Sequence, residues 1–119
     1  MRIEIRGRNV EMTDDLREMV RKRFQRLGQQ VSTLATLEVV LSEERNPSIR
    51  DGQVAEATFR LKGVTLRARE TSPDMTHTVH ELAEDVRRQV KKHRDLRRKR
   101  SKTRHLVDQM RGRPAELHP

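Results

Sequence analysis

The sequence predicts an α+β fold of two layers in the order β-α-β-β-β-α, a four-stranded sheet with two helices on one face. Three observations predict it. Four short segments alternate apolar and polar residues with the period of a half-buried strand. Two longer segments repeat their apolar residues at helical spacing, one after the first strand and one after the fourth. Each strand has one apolar phase, so both helices belong on the same side of the sheet and the other side stays wet.

The first strand is read from Ile3 and Ile5, which alternate with Arg2, Glu4 and Arg6, and residues 7–12 turn the chain. Thr13 stands before Asp14 and Asp15, a capping hydroxyl followed by acids that suit the positive end of a helix dipole. Leu16, Met19, Val20, Phe24, Leu27 and Val31 then keep helical spacing, so a first helix is expected over residues 14–28, with Gly28 as its stop. Leu37, Val39 and Leu41 mark the second strand. Asn46-Pro47 and Asp51-Gly52 lie in the connection that follows.

Ala55, Ala57, Phe59 and Leu61 mark the third strand, and Lys62-Gly63 makes a tight hairpin into the fourth, marked by Val64, Leu66 and Ala68. The second helix opens at Ser72-Pro73-Asp74, with Ser72 as the expected cap and Pro73 at the first helical position. Its apolar stripe is Val79, Leu82, Ala83, Val86 and Val90, and helix-favouring residues continue to about Arg100. The last two of these turns have almost nothing apolar to pack. The wet face of the sheet carries Arg2, Glu4, Arg6, Glu38, Arg60, Arg67 and Arg69.

A chain of 119 residues has room for one domain and one modest core. Residues 1–98 are expected to form that domain. Residues 99–119, with Gly112, Pro114 and Pro119 and no sustained periodicity, are expected to be a basic flexible tail or linker. Hydrophobic residues make up only 32% and the aromatics are Phe24 and Phe59, so Leu, Val, Ile, Met and Ala must build the core. The absence of cysteine excludes disulfides, thiolate metal sites and cysteine nucleophiles. No apolar run reaches signal-peptide or membrane-spanning length, which predicts a soluble cytoplasmic protein.

The charge is concentrated. Between Arg87 and Arg104 there are eleven Lys and Arg and one acid, Asp95, a surplus of ten in a chain whose total is +9. The rest of the molecule is therefore near neutral, and a field that localised calls for a polyanion. A membrane-surface helix needs apolar residues opposite its charges, and past Val90 only Leu96 is available before Leu106. That disfavours a membrane, and an aromatic-stacking sheet for single-stranded RNA is disfavoured too, since Tyr and Trp are absent and Phe59 falls on the buried phase. A reader of phosphate backbones through Lys and Arg on a helix face remains.

Residues Val10-Glu11-Met12-Thr13-Asp14-Asp15-Leu16-Arg17 resemble the opening of helix one in the ribosome hibernation-promoting factor and ribosome-associated inhibitor family. Val54-Ala55-Glu56-Ala57-Thr58 resembles its third strand. Ser72-Pro73-Asp74-Met75, Glu81-Leu82 and Arg88-Gln89-Val90-Lys91-Lys92 are similar to the start and end of its helix two. The resemblance covers residues 1–98. It implies the same β-α-β-β-β-α fold and a stress or stationary-phase protein without catalysis. Such a protein binds the small ribosomal subunit and its rRNA in the intact ribosome and blocks the messenger RNA and transfer RNA (A and P) sites. It implies Arg88 and Lys92 of helix two, with Arg23 and Arg26 of helix one, as rRNA contacts. Charge and helix geometry add Arg87, Lys91, Arg94, Arg97 and Arg98 to the RNA-binding set.

The chain departs from the family pattern at Thr76, usually Tyr, at His80, commonly Asp or Asn, and at Asp85, frequently Lys. It is either a short member or the N-terminal domain of a long one. Two other readings use the same basic helix: a general double-stranded RNA-binding module, and a regulatory adaptor docking an acidic protein. His77 and His80, three apart with Glu81 and Glu84 nearby, share a helix face, but no third ligand is evident and no metal is expected. No Gly-rich phosphate loop or nucleophile signature is present, so the sequence predicts neither cofactor nor small-molecule substrate, and no enzyme.

Overall fold

A computed structural model describes residues 1–117, with side chains followed as far as residue 107. Its elements are β1 (Arg2–Arg8), α1 (Asp14–Phe24), a 3-10 helix (Gln25–Gln30), β2 (Thr36–Glu43), β3 (Gln53–Leu61), β4 (Val64–Ser72) and α2 (Met75–Leu117). The chain divides into two units, one of residues Met1–Arg88 and one beginning at Gln89. The first holds the sheet, α1 and the opening turns of α2.

The four strands lie side by side in sequence order. β1 and β2 are parallel, with Ile3 opposite Leu37 and Ile5 opposite Val39. A parallel pair needs a crossover, and α1 with its 3-10 continuation supplies it. β2–β3 and β3–β4 are antiparallel, with Leu37 opposite Phe59 and Phe59 opposite Leu66. The β3–β4 hairpin turns at Gly63, whose φ of 80° is the left-handed conformation open to glycine.

One phase of every strand faces the core. Leu37, Val39, Leu41, Ala55 and Phe59 are fully buried, and from the helices Val20, Phe24, Val79, Leu82 and Val86 are nearly so. The opposite phase carries charge, and cross-strand ion pairs organise it. Glu38 on β2 accepts from Arg6 on β1 and from Arg60 on β3, while Glu56 on β3 meets Arg69 on β4 at 3.4 Å. Those two arginines hold the Glu38 carboxyl below the ordinary glutamate value, with the Arg6 hydrogen bond the largest cause.

Three local expectations are corrected. The first helix is α-helical only to Phe24 and tightens into 3-10 turns that pass through Gly28 to Gln30. Such tightening is common where a helix runs out of intrahelical partners, and here it keeps Leu27 buried. The second helix is capped by Asp74, whose Oδ2 accepts from the His77 amide at 3.0 Å, and it begins at Met75. Ser72 instead ends β4, with its hydroxyl against that of Thr78 in the core, and Thr78 also reaches the Gln53 carbonyl at 3.1 Å. Thirdly, α2 runs beyond Arg100 to Leu117. Residues 99–107 contain no Gly or Pro and several good helix formers, and losing an apolar stripe does not end a helix whose propensity persists. Residues 118 and 119 of the expected tail lie outside the described residues.

Candidate nucleic-acid interface

Thr13 starts α1 as its sequence requires, its hydroxyl accepting from the Leu16 amide at 3.1 Å. From that start, Met19, Lys22, Arg23 and Arg26 fall at i, i+3, i+4 and i+7 and share a flank of the helix and its continuation. On α2, His80, Ala83, Glu84 and Arg87 follow the same spacing. The two stripes face each other in the first unit and line a cleft of about 490 Å³. Four cationic side chains, Lys22, Arg23, Arg26 and Arg87, thus meet around one carboxylate, Glu84.

Two contacts order the cleft. Arg87 donates to Glu84 Oε1 at 2.9 Å. Arg23 Nη1 lies 3.2 Å from His80 Nδ1. A guanidinium has only donors, so Nδ1 must be the acceptor, and the proton of a neutral His80 ring then sits on Nε2. Arg23 and Arg26 are exposed and Arg87 is half-buried. The lining thus combines four cationic side chains and His80 with one carboxylate and the apolar Met19 and Ala83.

Arg88 does not join it. One residue further along the helix, Arg88 turns to the flank where Glu81, Asp85 and Glu70 of β4 lie, and its charge acts on Glu70 there. Glu70 has its carboxyl pushed above the ordinary glutamate value, first by burial, then by hydrogen bonding to Asp85 and by the negative charges of Asp85 and Glu81, against the opposing pull of Arg88. Asp85, which stands where the related pattern has lysine, is therefore half-buried against a second carboxyl.

The other expected contacts belong to the second unit. Lys91, Lys92, Arg97 and Arg98 are exposed. Arg94 is half-buried, and its Nε is buried without a hydrogen-bond partner. Sequence reasoning missed Lys22. The signal was available, since Lys22 precedes Arg26 by four residues on a helix whose apolar phase was already assigned. Among the described residues no group of three or more His, Asp and Glu is placed to hold a metal ion, and no helix is long and apolar enough to cross a membrane.

Comparison with known proteins adds the following. Residues 3–98 match the model of the family described as sigma 54 modulation protein / S30EA ribosomal protein. The chain is 30% identical over 101 residues to the ribosome hibernation promoting factor of Acinetobacter guillouiae, covering 81% of this chain and 89% of that protein. It is 33% identical over 95 residues to the factor of the same name from Escherichia coli K12, covering 80% and 95%. It spans 50% of the ribosome hibernation promotion factor of Picosynechococcus, at 27% identity over 96 residues and 80% of this chain. Among solved structures, the N-terminal domain of Thermus thermophilus Protein Y is similar with a TM-score of 0.66 and 29% identity, over 78% of this chain and 99% of that one.

Proposed function

The chain belongs to the family of sigma 54 modulation protein / S30EA ribosomal proteins, and from that premise we propose that it is a ribosome-associated hibernation factor that negatively regulates translation. In this reading it binds the small subunit through rRNA phosphates and occupies the messenger RNA and transfer RNA sites of idle, intact ribosomes in the cytoplasm. It acts by occupancy, without catalysis.

The observation that carries the reading is the convergence of Lys22, Arg23, Arg26 and Arg87 on one cleft. Lysines and arginines held on a rigid helix pair suit phosphate oxygens, and Arg adds bidentate geometry. In this reading Lys91, Lys92, Arg94, Arg97 and Arg98, which follow on α2 in the second unit, add further phosphate contacts. About six phosphate contacts would make log affinity fall with log salt at a slope of roughly −4 to −5.

Co-sedimentation with ribosomes and separated subunits, at several salt concentrations and with duplex RNA as competitor, tests the proposal. Retention on the small subunit with displacement of bound transfer RNA is the expected result. Equal stripping by any duplex would reduce the chain to a general double-stranded RNA-binding module. Binding that survives nuclease digestion of the RNA would favour an adaptor for an acidic protein.

A further inference from the structure

The sheet face opposite the helices is rich in arginine. β1 places Arg2, Arg6 and Arg8 on it, β3 places Arg60, and β4 places Arg67 and Arg69. Three glutamates, Glu4, Glu38 and Glu56, are the acids there, and lysine is absent from these strand positions. The glutamates orient the arginines. Glu38 takes Arg6 from one side and Arg60 from the other, and Glu56 takes Arg69. The arginines nonetheless stay open, with side-chain exposures of 67% for Arg6, 54% for Arg60 and 62% for Arg69.

A guanidinium has five N–H donors and two flat faces, and one carboxylate contact leaves most of them available. Holding the group in place beforehand lowers the entropy lost when a ligand binds. Arg67 and Arg69 alternate on one strand face, which sets them about 7 Å apart, with adjoining strands at about 4.8 Å. The lack of Tyr and Trp disfavours a sheet that stacks bases on aromatic rings. Bases also stack on guanidinium planes, however, and this face has them.

We propose that the helix-free face of the sheet is a second nucleic-acid site, one that binds single-stranded RNA. Guanidinium planes of Arg60, Arg67 and Arg69 stack on unpaired bases while their N–H edges hold phosphates. The intervening glutamates repel an acidic peptide. A duplex keeps its base faces hidden and gains nothing from the planes. The hydroxyls of Thr58 and Thr65, on the same face, are partners for a ribose 2′-OH. The site does not depend on the ribosome reading, because it uses none of the cleft residues.

The test is a titration of the full chain against a labelled, unstructured oligouridine of about a dozen nucleotides. It is made in a background carrying Arg23→Glu, Arg26→Glu and Arg87→Glu, which reverses three of the four cleft cations. Arg67→Gln with Arg69→Gln is expected to weaken binding at least tenfold. Arg67→Lys with Arg69→Lys, which keeps the charge and removes the planes, is expected to weaken it severalfold. Backbone amide shifts of the unmutated chain on adding the same RNA should include β3 and β4. Unchanged affinity in the Gln pair, full affinity in the Lys pair, or shifts confined to α1 and α2 would each overturn the proposal. So would an equal loss of duplex RNA binding in the Gln pair. Ribosome co-sedimentation of the Arg23, Arg26 and Arg87 variant reports separately on the cleft.

Discussion

Glu70 on β4 and Asp85 on α2 face each other as a carboxyl pair, and burial together with Asp85 raises the Glu70 carboxyl above the ordinary glutamate value. Burial is the larger cause and Asp85 the next. Glu70 stands on the inward phase of its strand, where its neighbours are Leu66, Ala68 and Ser72. A carboxyl there keeps its proton more readily than in the unfolded chain, so the folded state binds more protons. Stability from this group is then fully present below the unfolded value, 4.5, and is lost as pH rises through the higher folded value. Glu70→Gln is expected to raise the melting temperature at pH 7 and leave it unchanged at pH 4, with a gain of up to about 1 kcal/mol, the scale of one partly exposed charge interaction. Thermal unfolding from pH 4 to 8 checks it.

Glu38 behaves in the opposite sense. Arg6 and Arg60 hold its carboxyl below 4.5, so the folded chain releases this proton more readily than the unfolded one. Its contribution is present above 4.5 and is lost as pH falls through the lower folded value. Glu38→Gln is expected to lower the melting temperature at pH 7, with the difference closing toward pH 3. A difference that stays constant over that range would show that the ion pairs across β1, β2 and β3 add nothing. Salt in the buffer should shrink the neutral-pH difference, since all three groups meet solvent.

Phe24 and Phe59 are the only aromatics, both are at most 1% exposed, and the remaining core is built of smaller side chains. Phe59→Ala removes the largest group on the central antiparallel strand and is expected to cost about 3–5 kcal/mol. At the start of α1, Thr13→Ala removes the acceptor for the Leu16 amide and should cost about 1 kcal/mol. Urea unfolding of the two variants measures both, and a Thr13→Ala loss as large as that of Phe59→Ala would contradict the expectation.

Period and turn chemistry made most of the fold legible. Strict alternation set the phase of each strand, and the buried side chains of β2 are the alternating Leu37, Val39 and Leu41. Gly63 and Thr13 act as residues of their kind do in turns and caps. Rules of local propensity do not see tertiary choices. Asp74 caps α2 through the His77 amide, while the Ser72 hydroxyl, placed at the end of β4, accepts from the Asp74 amide and lies against the Thr78 hydroxyl. Of the four cleft cations only Arg87 lies in the basic run of residues 87–104; Arg23 and Arg26 followed from the family resemblance, and Lys22 from neither. Arg87 and Arg88 are neighbours in sequence, but a step of about 100° around the helix sends them to different flanks. Asp85 reads from sequence as a reversed charge on a binding surface, and the fold sets Glu70 beside it.

That division of flanks yields the last prediction. Arg87 lines the cleft with Lys22, Arg23 and Arg26, while Arg88 sits near Glu70, Glu81 and Asp85. Arg87→Glu places a second acid beside Glu84 in the cleft. It should reduce small-subunit binding at least tenfold and flatten the salt dependence by about one unit of slope, as expected for one lost phosphate contact. Arg88→Glu removes a cation whose charge offsets the Glu70 cluster and adds a fourth acid to it. It should therefore lower the melting temperature, by an amount corresponding to about 1 kcal/mol, and it should make the pH dependence above 4.5 steeper. Glu70→Gln in the Arg88→Glu background should recover part of the lost stability, because it removes a charge that Arg88 no longer balances. Recovery of stability without recovery of ribosome binding would give Arg88 both roles. Unchanged stability in Arg88→Glu would remove it from the acidic cluster and return it to the phosphate-facing set.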